Sequence, residues 1–535
     1  MMPRRFFKFA SFGLWGIFKT TILVLSVLVL GACGRQVPRQ DFVVAMESFA
    51  PNLDPRFPTD AYAAKVQGLI FNGLLKFDDN LMLVPDLADS YQMLSDRRMR
   101  FKLKKGVVFH NGKALTSADV VYTLKTLMDP KTKSQLYSTF NRIAELEAPD
   151  DQTVEIELNE PFVPFLTALT VGIIPADSDK KGGLVSEYPI GTGPFAFVEM
   201  RKDQWIRLRA NPQYFGGAPE IASLKIQTIR DDTTRVLQML HGEVDLVQNG
   251  IPLVMAAWLK GQQGLKMESN TGINYVYMGF NLKDPILQDP QVREAIALGI
   301  DRNALIAARL KGLARPASGL LSPDNGFYDG NVQVYPYDKE MAKHLLDQAG
   351  YPDPDGAGPK PRFTMSLKTS NKRDRVAMAR AISRELNEIG IQVEVQPFEW
   401  GTFFRDIRTG NFQTFTSTWV GVTDPDMYYN AFDSDMVPPK GANRGYFSNA
   451  EIDDLLETAR IEVDVQKRKK LYAKVQKILA QELPYVSLWY EDNVVFLQKD
   501  VQGYQLRPDA SLIGLARTRK TLSPSPETIG MEGTH

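Results

Sequence analysis

Residues able to do covalent or metal chemistry are scarce. The 535-residue chain has one cysteine, Cys33, and four histidines, His110, His241, His344 and His535. No two histidines have metal-ligand spacing, and there is no His-Glu-x-x-His run. No Gly-x-Ser-x-Gly marks a hydrolase elbow. "PIGTGPF", Pro189 to Phe195, is glycine-rich but lacks the Gly-Lys-Ser/Thr of a phosphate loop, and no helical pattern follows it. Asp231-Asp232 and Asp453-Asp454 stand at the starts of predicted helices, where the helix dipole explains them without acid/base chemistry. An enzyme, a metal centre or a cofactor is therefore not expected.

The cysteine has a different use. Arg4, Arg5 and Lys8 make a basic start, Lys19 follows, and the run from Thr20 to Ala32 is uncharged. This is the layout of an export signal ending in small residues. The run is short for a membrane span of about 20 residues. Counting from Phe9 would lengthen it but place Lys19 mid-membrane, at roughly 2.5–3.5 kcal/mol. Leu30-Gly31-Ala32-Cys33 resembles a bacterial lipobox, which implies cleavage before Cys33 and lipid on its sulfur. Residues 1–32 are then the signal, and the protein is expected in the periplasm or cell envelope, anchored to a membrane through Cys33.

The elements that must position any site are legible as pattern. Charged residues number 63 basic and 63 acidic; without the four basic residues of the signal the balance is 59 against 63, a net of −4. That gives no electrostatic footprint for nucleic acid. Hydrophobic content of 44% is a globular value, and the length calls for several cores. Phe42–Met46 reads as a strand before a Pro/Asn/Asp turn, and Ala61–Leu75 as a helix with Val66, Leu69, Ile70 and Leu74 on one stripe. "RFTMSLKTS", "DRVAMARAISRELNEIG" and "IQVEVQPF" form a βαβ unit. "YVSLWYEDNVVFLQK" reads as a strand pair, and the tail from Thr521 is rich in Ser, Pro, Gly and Thr. Strands alternating with helices argue for α/β lobes.

Ten segments in order carry a resemblance. They include "FKLKKGVVFHNGKALTSADVVYTL", "YPIGTGPFAF", "RVLQMLHGEVDLV", "GFNLKDPILQDPQVREAIALGIDRNALI", "WVGVTDPD" and "NAEIDDLLETAR". The chain resembles the family 5 extracellular solute-binding proteins, the peptide- and nickel-binding components of ABC importers. The resemblance implies an α/β, two-lobed periplasmic-binding-protein-like fold of type II, in the large cluster with an inserted extra subdomain and a ligand cleft between lobes. Lobe I would comprise 33–74, 187–278 and 488–516, the inserted subdomain 75–186, lobe II 279–487, and a disordered tail 517–535. "PIGTGPF" would be the crossover from the subdomain to lobe I. The hinge would lie near Met278–Leu282 and Tyr485–Tyr490. Implied partners are a peptide ligand, the permease with its ATPase, and a membrane through the lipid, with no nucleic acid; a monomer is expected.

The resemblance also nominates site residues. Asp424 of "WVGVTDPD" would pair with the free α-amino group of a peptide, since a carboxylate buried on closure needs a partner; Asp426 is the fallback. Trp419, Trp400, Tyr428 and Tyr429 would wall the pocket. Arg444 of "NRGYF" would meet a ligand carboxylate in two-pronged fashion. Glu47, Ser48 and Phe49 would lend main-chain groups to an extended peptide. Capture of a nickel or metal chelate, a sugar or another small solute on the same scaffold, or a signalling or envelope role without transport, remain the alternatives.

Overall fold

The computed structural model describes residues 41–57, 60–178, 184–356 and 358–521. The expected signal, Cys33 and the end of the expected tail, from 522, lie outside the described residues. The chain opens with β1 (Phe42–Met46), all five residues buried, and a helix Ala61–Ile70. Asp60 caps that helix by accepting from the Tyr62 and Ala63 N–H groups, and Ala63, Val66, Leu69 and Ile70 make its buried stripe. A subdomain follows. It holds a hairpin of β2 (Leu75–Phe77) and β3 (Leu83–Pro85). It also holds β4 (Ala88–Met93), β5 (Arg98–Leu103), β6 (Ile143–Asp150) and β7 (Thr153–Leu158), an antiparallel sheet in the order β4-β5-β7-β6. Its own core includes Phe101, Leu124, Phe140, Ile156 and Phe165.

The chain then returns through β8 (Phe195–Arg201), β9 (Trp205–Ala210), β10 (Ser223–Thr228), β11 (Leu246–Gln248) and the long β12 (Leu265–Phe280). Later come β13 (Ala314–Pro316), β14 (Phe363–Ser370), β15 (Ile391–Phe398), β16 (Thr414–Trp419) and β17 (Tyr485–Gln498). All belong to one sheet in the order β15-β14-β16-β12-β17-β11-β1-β10-β9-β8, with β13 against β17. β14 and β15 are parallel, joined by the helix Arg373–Asn387.

The antiparallel pair β12·β17 is the spine shared by both lobes. Its C-terminal stretch of β17 packs Val495 and Leu497 into one first-lobe core and Val494 and Phe496 into another. Its N-terminal stretch packs Val486, Leu488 and Trp489 on one second-lobe face and Tyr485 and Tyr490 on the other. Burial on both faces removes the alternation that marks a one-sided strand, which is why "YVSLWYEDNVVFLQK" reads as a pair when it is one 14-residue strand.

Two expectations are corrected here. The residues expected at the hinge, Met278–Leu282 and Tyr485–Tyr490, are packed in or against second-lobe cores. The spine passes between lobes earlier in β12, where register shifts between Asn270 and Asn274 opposite Glu491–Asn493. Gly272 is needed there: a Cβ would fall 2.1 Å from the Glu491 carbonyl oxygen. Residues 517–521, expected in the disordered tail, instead join the fold. Arg519–Lys520 pairs with Val501–Gln502, Thr518 is fully buried, and the Lys520 ammonium lies 2.6 Å from Asp245.

Candidate ligand cleft

The β16 run "TFTSTW" is bound on one side only over much of its length. Thr414–Trp419 pairs with β12 throughout. Towards β14 only Thr414 and Phe415 are paired. Past them, among the described residues, no strand pairs with the edge from Thr416 to Trp419, and Thr416 Oγ1 meets Thr369 Oγ1 at 3.3 Å. An open strand edge is a ready partner for an extended chain.

Arg444 lies over the side chain of Trp419, the last residue of this strand. Its loop is fixed by Asn443, buried, whose amide donates to the Asp433 and Phe447 carbonyls at 3.0 and 2.7 Å and accepts from the Phe447 N–H at 2.9 Å. Gly445 ties the loop to the end of β12: its carbonyl accepts from the Leu282 N–H at 2.9 Å. Arg444 is 9% exposed. Its guanidinium lies 4.8 Å from the Trp419 ring centre and 5.4 Å from that of Phe404. Nη1 donates to Tyr277 Oη at 3.2 Å, while Nε has no acceptor. Among the described residues no carboxylate lies within 4 Å of it. Trp419 Nε1 is likewise a buried donor with no partner.

Aromatic rings complete the wall. Trp419 stacks on Tyr277 at 6.2 Å and Tyr277 on Tyr485 at 4.2 Å. Trp400, 56% exposed, stacks on Phe404 at 5.7 Å from the start of the helix Trp400–Thr409. Burial pushes the Tyr277 phenol up, against the pull of Arg444, so Tyr277 faces the guanidinium as a neutral acceptor. A guanidinium between two rings, with an unfilled buried Nε–H, can accept an anion. Phe404 and Tyr277 were missed in the sequence. Phe404 lies four residues after Trp400 in one helix, a spacing that signals a shared face.

Asp424 has different surroundings. Its Oδ1 accepts from the Asp426 N–H at 2.8 Å and lies 3.7 Å from Arg468. Its Oδ2 accepts from the Thr167 hydroxyl of the inserted subdomain. Asp426 pairs with Arg460 at 2.9 Å. The Arg460 guanidinium covers the Tyr429 ring at 3.6 Å and the subdomain's Phe162 at 4.9 Å. The Val163 N–H donates to the Arg460 carbonyl at 2.8 Å. Asp424 and Tyr429 thus belong to a joint between the subdomain and the second lobe. Tyr428 is a core residue, 1% exposed, and neither tyrosine stands with Trp419 and Arg444.

On the first lobe, Glu47, Ser48 and Phe49 follow β1. Glu47 accepts from Tyr62 Oη at 3.2 Å. Burial, with Glu47 beside it, pushes the Tyr62 phenol up to about 12. Phe49 sends its ring into the lobe core, and the Ser48 and Phe49 N–H groups donate to no acceptor among the described residues. His110 is structural: its ring is 3.0 Å from the Gly193 carbonyl oxygen and accepts from the Gly191 N–H at 3.3 Å. Burial pushes it down to about 4. The glycines of "PIGTGPF" allow close passage, since a Cβ on Gly191 would lie 2.0 Å from the Ile70 oxygen. No group of three or more metal-ligating side chains occurs among the described residues. No described helix is long and apolar enough to cross a membrane.

Two lobes sharing one spine, with an aromatic-flanked cation beside an open strand edge, define a binding protein. Residues 82–436 match the model of the bacterial extracellular solute-binding proteins, family 5, and the chain belongs to that family. It is 28% identical to the oligopeptide-binding protein AppA of Bacillus subtilis, over 93% of this chain and 98% of that one. It is also 28% identical to the glutathione-binding protein GsiB of Escherichia coli, over 88% and 93%. The structure of B. subtilis AppA in complex with a nonapeptide aligns with a TM-score of 0.72 at 27% identity, covering 90% of this chain and 99% of that one.

Proposed function

We propose that this protein captures peptides between its lobes and hands them to the permease of an ABC importer, without chemical change. Arg444 receives a ligand carboxylate, Trp419, Phe404 and Trp400 flank it, and the Thr416–Trp419 edge with Ser48 and Phe49 bonds the peptide main chain. One observation carries this reading: a buried guanidinium with no carboxylate partner beside an unpaired strand edge. The likeness to the oligopeptide-binding protein AppA, solved with a nonapeptide, and to the glutathione-binding protein GsiB supports it. Lipid on Cys33 holds the protein, as a monomer, at a membrane facing the permease. Asp424 holds the subdomain joint rather than the ligand's ammonium.

That placement of Asp424 also favours a second reading, an anionic solute without an amino group, such as a carboxylate chelate. Native mass spectrometry of the purified protein separates the two. Bound masses fitting short peptides support the first reading, and one non-peptidic acidic mass supports the second. Cationic or sugar masses alone would overturn both.

A further inference from the structure

The second lobe holds a cavity of about 370 Å³, and all of its wall lies between Tyr275 and Ser487. Its wall includes none of Arg444, Trp419, Phe404, Trp400, Ser48 or Phe49, so it is a different space from the cleft described above. Tyr485 and Tyr275 belong to the wall and both stack on Tyr277, which accepts from Arg444, and Tyr275 stands opposite Trp419 in the sheet, so the two sites are neighbours through these residues. Its rim includes Val334, 65% exposed, and Tyr337, 38% exposed, which open it to solvent.

The wall mixes tyrosines and aliphatic side chains with the polar Asn303, Ser318, Gln333, Gln476 and Ser487, the carboxylate of Asp301 and one cation, Arg302. Arg302 is clamped by main-chain carbonyls: Nε donates to Ser487 at 2.7 Å, and Nη1 to Ala297 and Tyr335 at 3.0 and 3.1 Å. Nη2 has no acceptor among the described residues. Asp301, the one acidic residue of the wall, caps the next helix by accepting from the Ala304 N–H at 2.9 Å. Glu385, another carboxylate whose charge acts on Arg302, accepts from the Asp301 N–H. Burial pushes the Arg302 guanidinium down to about 10, so it stays charged at neutral pH. Two phenols of the wall, Tyr428 and Tyr485, have buried hydroxyls that close no well-formed hydrogen bond. The Leu320 and Leu321 main chain lies near the first and the Tyr277 hydroxyl near the second. A desolvated cation with a free Nη2 and a weakly satisfied Tyr428 hydroxyl on one wall suit a polar occupant.

We infer that this second-lobe cavity is a binding site for a small aromatic monocarboxylate, its carboxylate on Arg302 and its ring among Tyr428, Leu479 and Leu483. Two observations set the class. A single cation suits one negative charge better than a phosphate, which draws several. Apolar rings and aliphatic side chains suit an aromatic body.

The test uses 4-fluorobenzoate followed by fluorine NMR on the purified protein, with 4-fluorobenzamide as the neutral isostere. Wild-type protein should bind the acid at one site, and the amide at least about tenfold more weakly. Gly319→Leu fills the cavity. A Cβ at Gly319 would meet only Tyr428 Oη at 3.6 Å, an ordinary contact, so the backbone is not strained. This variant should lose the acid. Arg302→Lys should weaken binding at least about tenfold. Should either fail to melt cooperatively, the Tyr428→Phe, Tyr485→Phe pair, which keeps both rings, should still cost about threefold. No binding of the acid, equal binding of the amide, or unchanged binding in the folded Gly319→Leu or double-Phe protein would each overturn the site.

Discussion

Arg444 and Asp424 sit in the same lobe, in two motifs that the sequence nominates together, and they have opposite surroundings. Arg444 has rings on two sides, a neutral phenol, and no carboxylate. Asp424 has an arginine, a hydroxyl and a main-chain N–H, and its neighbour Asp426 has an arginine of its own. A charge whose partners are all in the chain holds structure together. A charge buried without one leaves a cost that only a ligand can offset. On the proposed reading, the contrast separates a ligand site from a joint where residue type and position do not.

The sharpest way to break the contrast is to remove each charge. Arg444→Gln should cost at least about 3 kcal/mol of ligand binding, a hundredfold or more by titration calorimetry. Its melting temperature should hold or rise, because no internal pair is lost. A stability loss with intact binding would reverse the assignment.

Next comes the pH response of the joint. Burial pushes the Asp426 carboxyl up to about 6, and the adjacent Asp424 charge adds to this against the pull of Arg460. The folded protein thus holds this proton more tightly than the unfolded chain, whose carboxyl titrates near 3.8. The stabilising contribution is full below about 3.8 and is lost as pH rises through about 6. Denaturation at stepped pH should show this fall, of order 1–3 kcal/mol. Asp426→Asn should flatten it. A slope unchanged by Asp426→Asn would place the proton elsewhere.

Asp424→Asn should lower stability by about 1–2 kcal/mol through the loss of the Arg468 pair, with ligand affinity changed by less than about threefold. A sharp loss of peptide binding would return Asp424 to the role of ammonium receptor. The smallest effect belongs to Phe404→Leu. It removes one ring from the guanidinium and should weaken binding by about 0.5–1 kcal/mol.

Much of the scaffold was open to reading. β1, the βαβ unit of β14, its helix and β15, and the paired helices Ala450–Ile461 and Val465–Glu482 follow from period and caps. The first half of β12, "LKMESNTG", escaped because it is polar and partly exposed where the spine leaves one lobe for the other. β4 and β6 escaped because their exposed, charge-rich faces carry little apolar alternation. The site was half legible. Trp419 and Arg444 stand in recognisable motifs, but whether a charge has a partner is set by folding: Arg468 lies 44 positions from Asp424, and Thr167 is separated from it by 257. Tyr428 and Tyr429 are adjacent in sequence, yet one faces a core cavity and the other an arginine of the joint.

The central claim is that Arg444 takes a ligand carboxylate. Its most direct test is a four-way titration. The ligand recovered from the purified protein is titrated as the free acid and as its amide, against wild type and Arg444→Gln. The account predicts that amidation costs wild type about thirtyfold or more, and that Arg444→Gln binds both forms equally and weakly. Equal affinity of wild type for acid and amide, or an undiminished preference for the acid in Arg444→Gln, would contradict it.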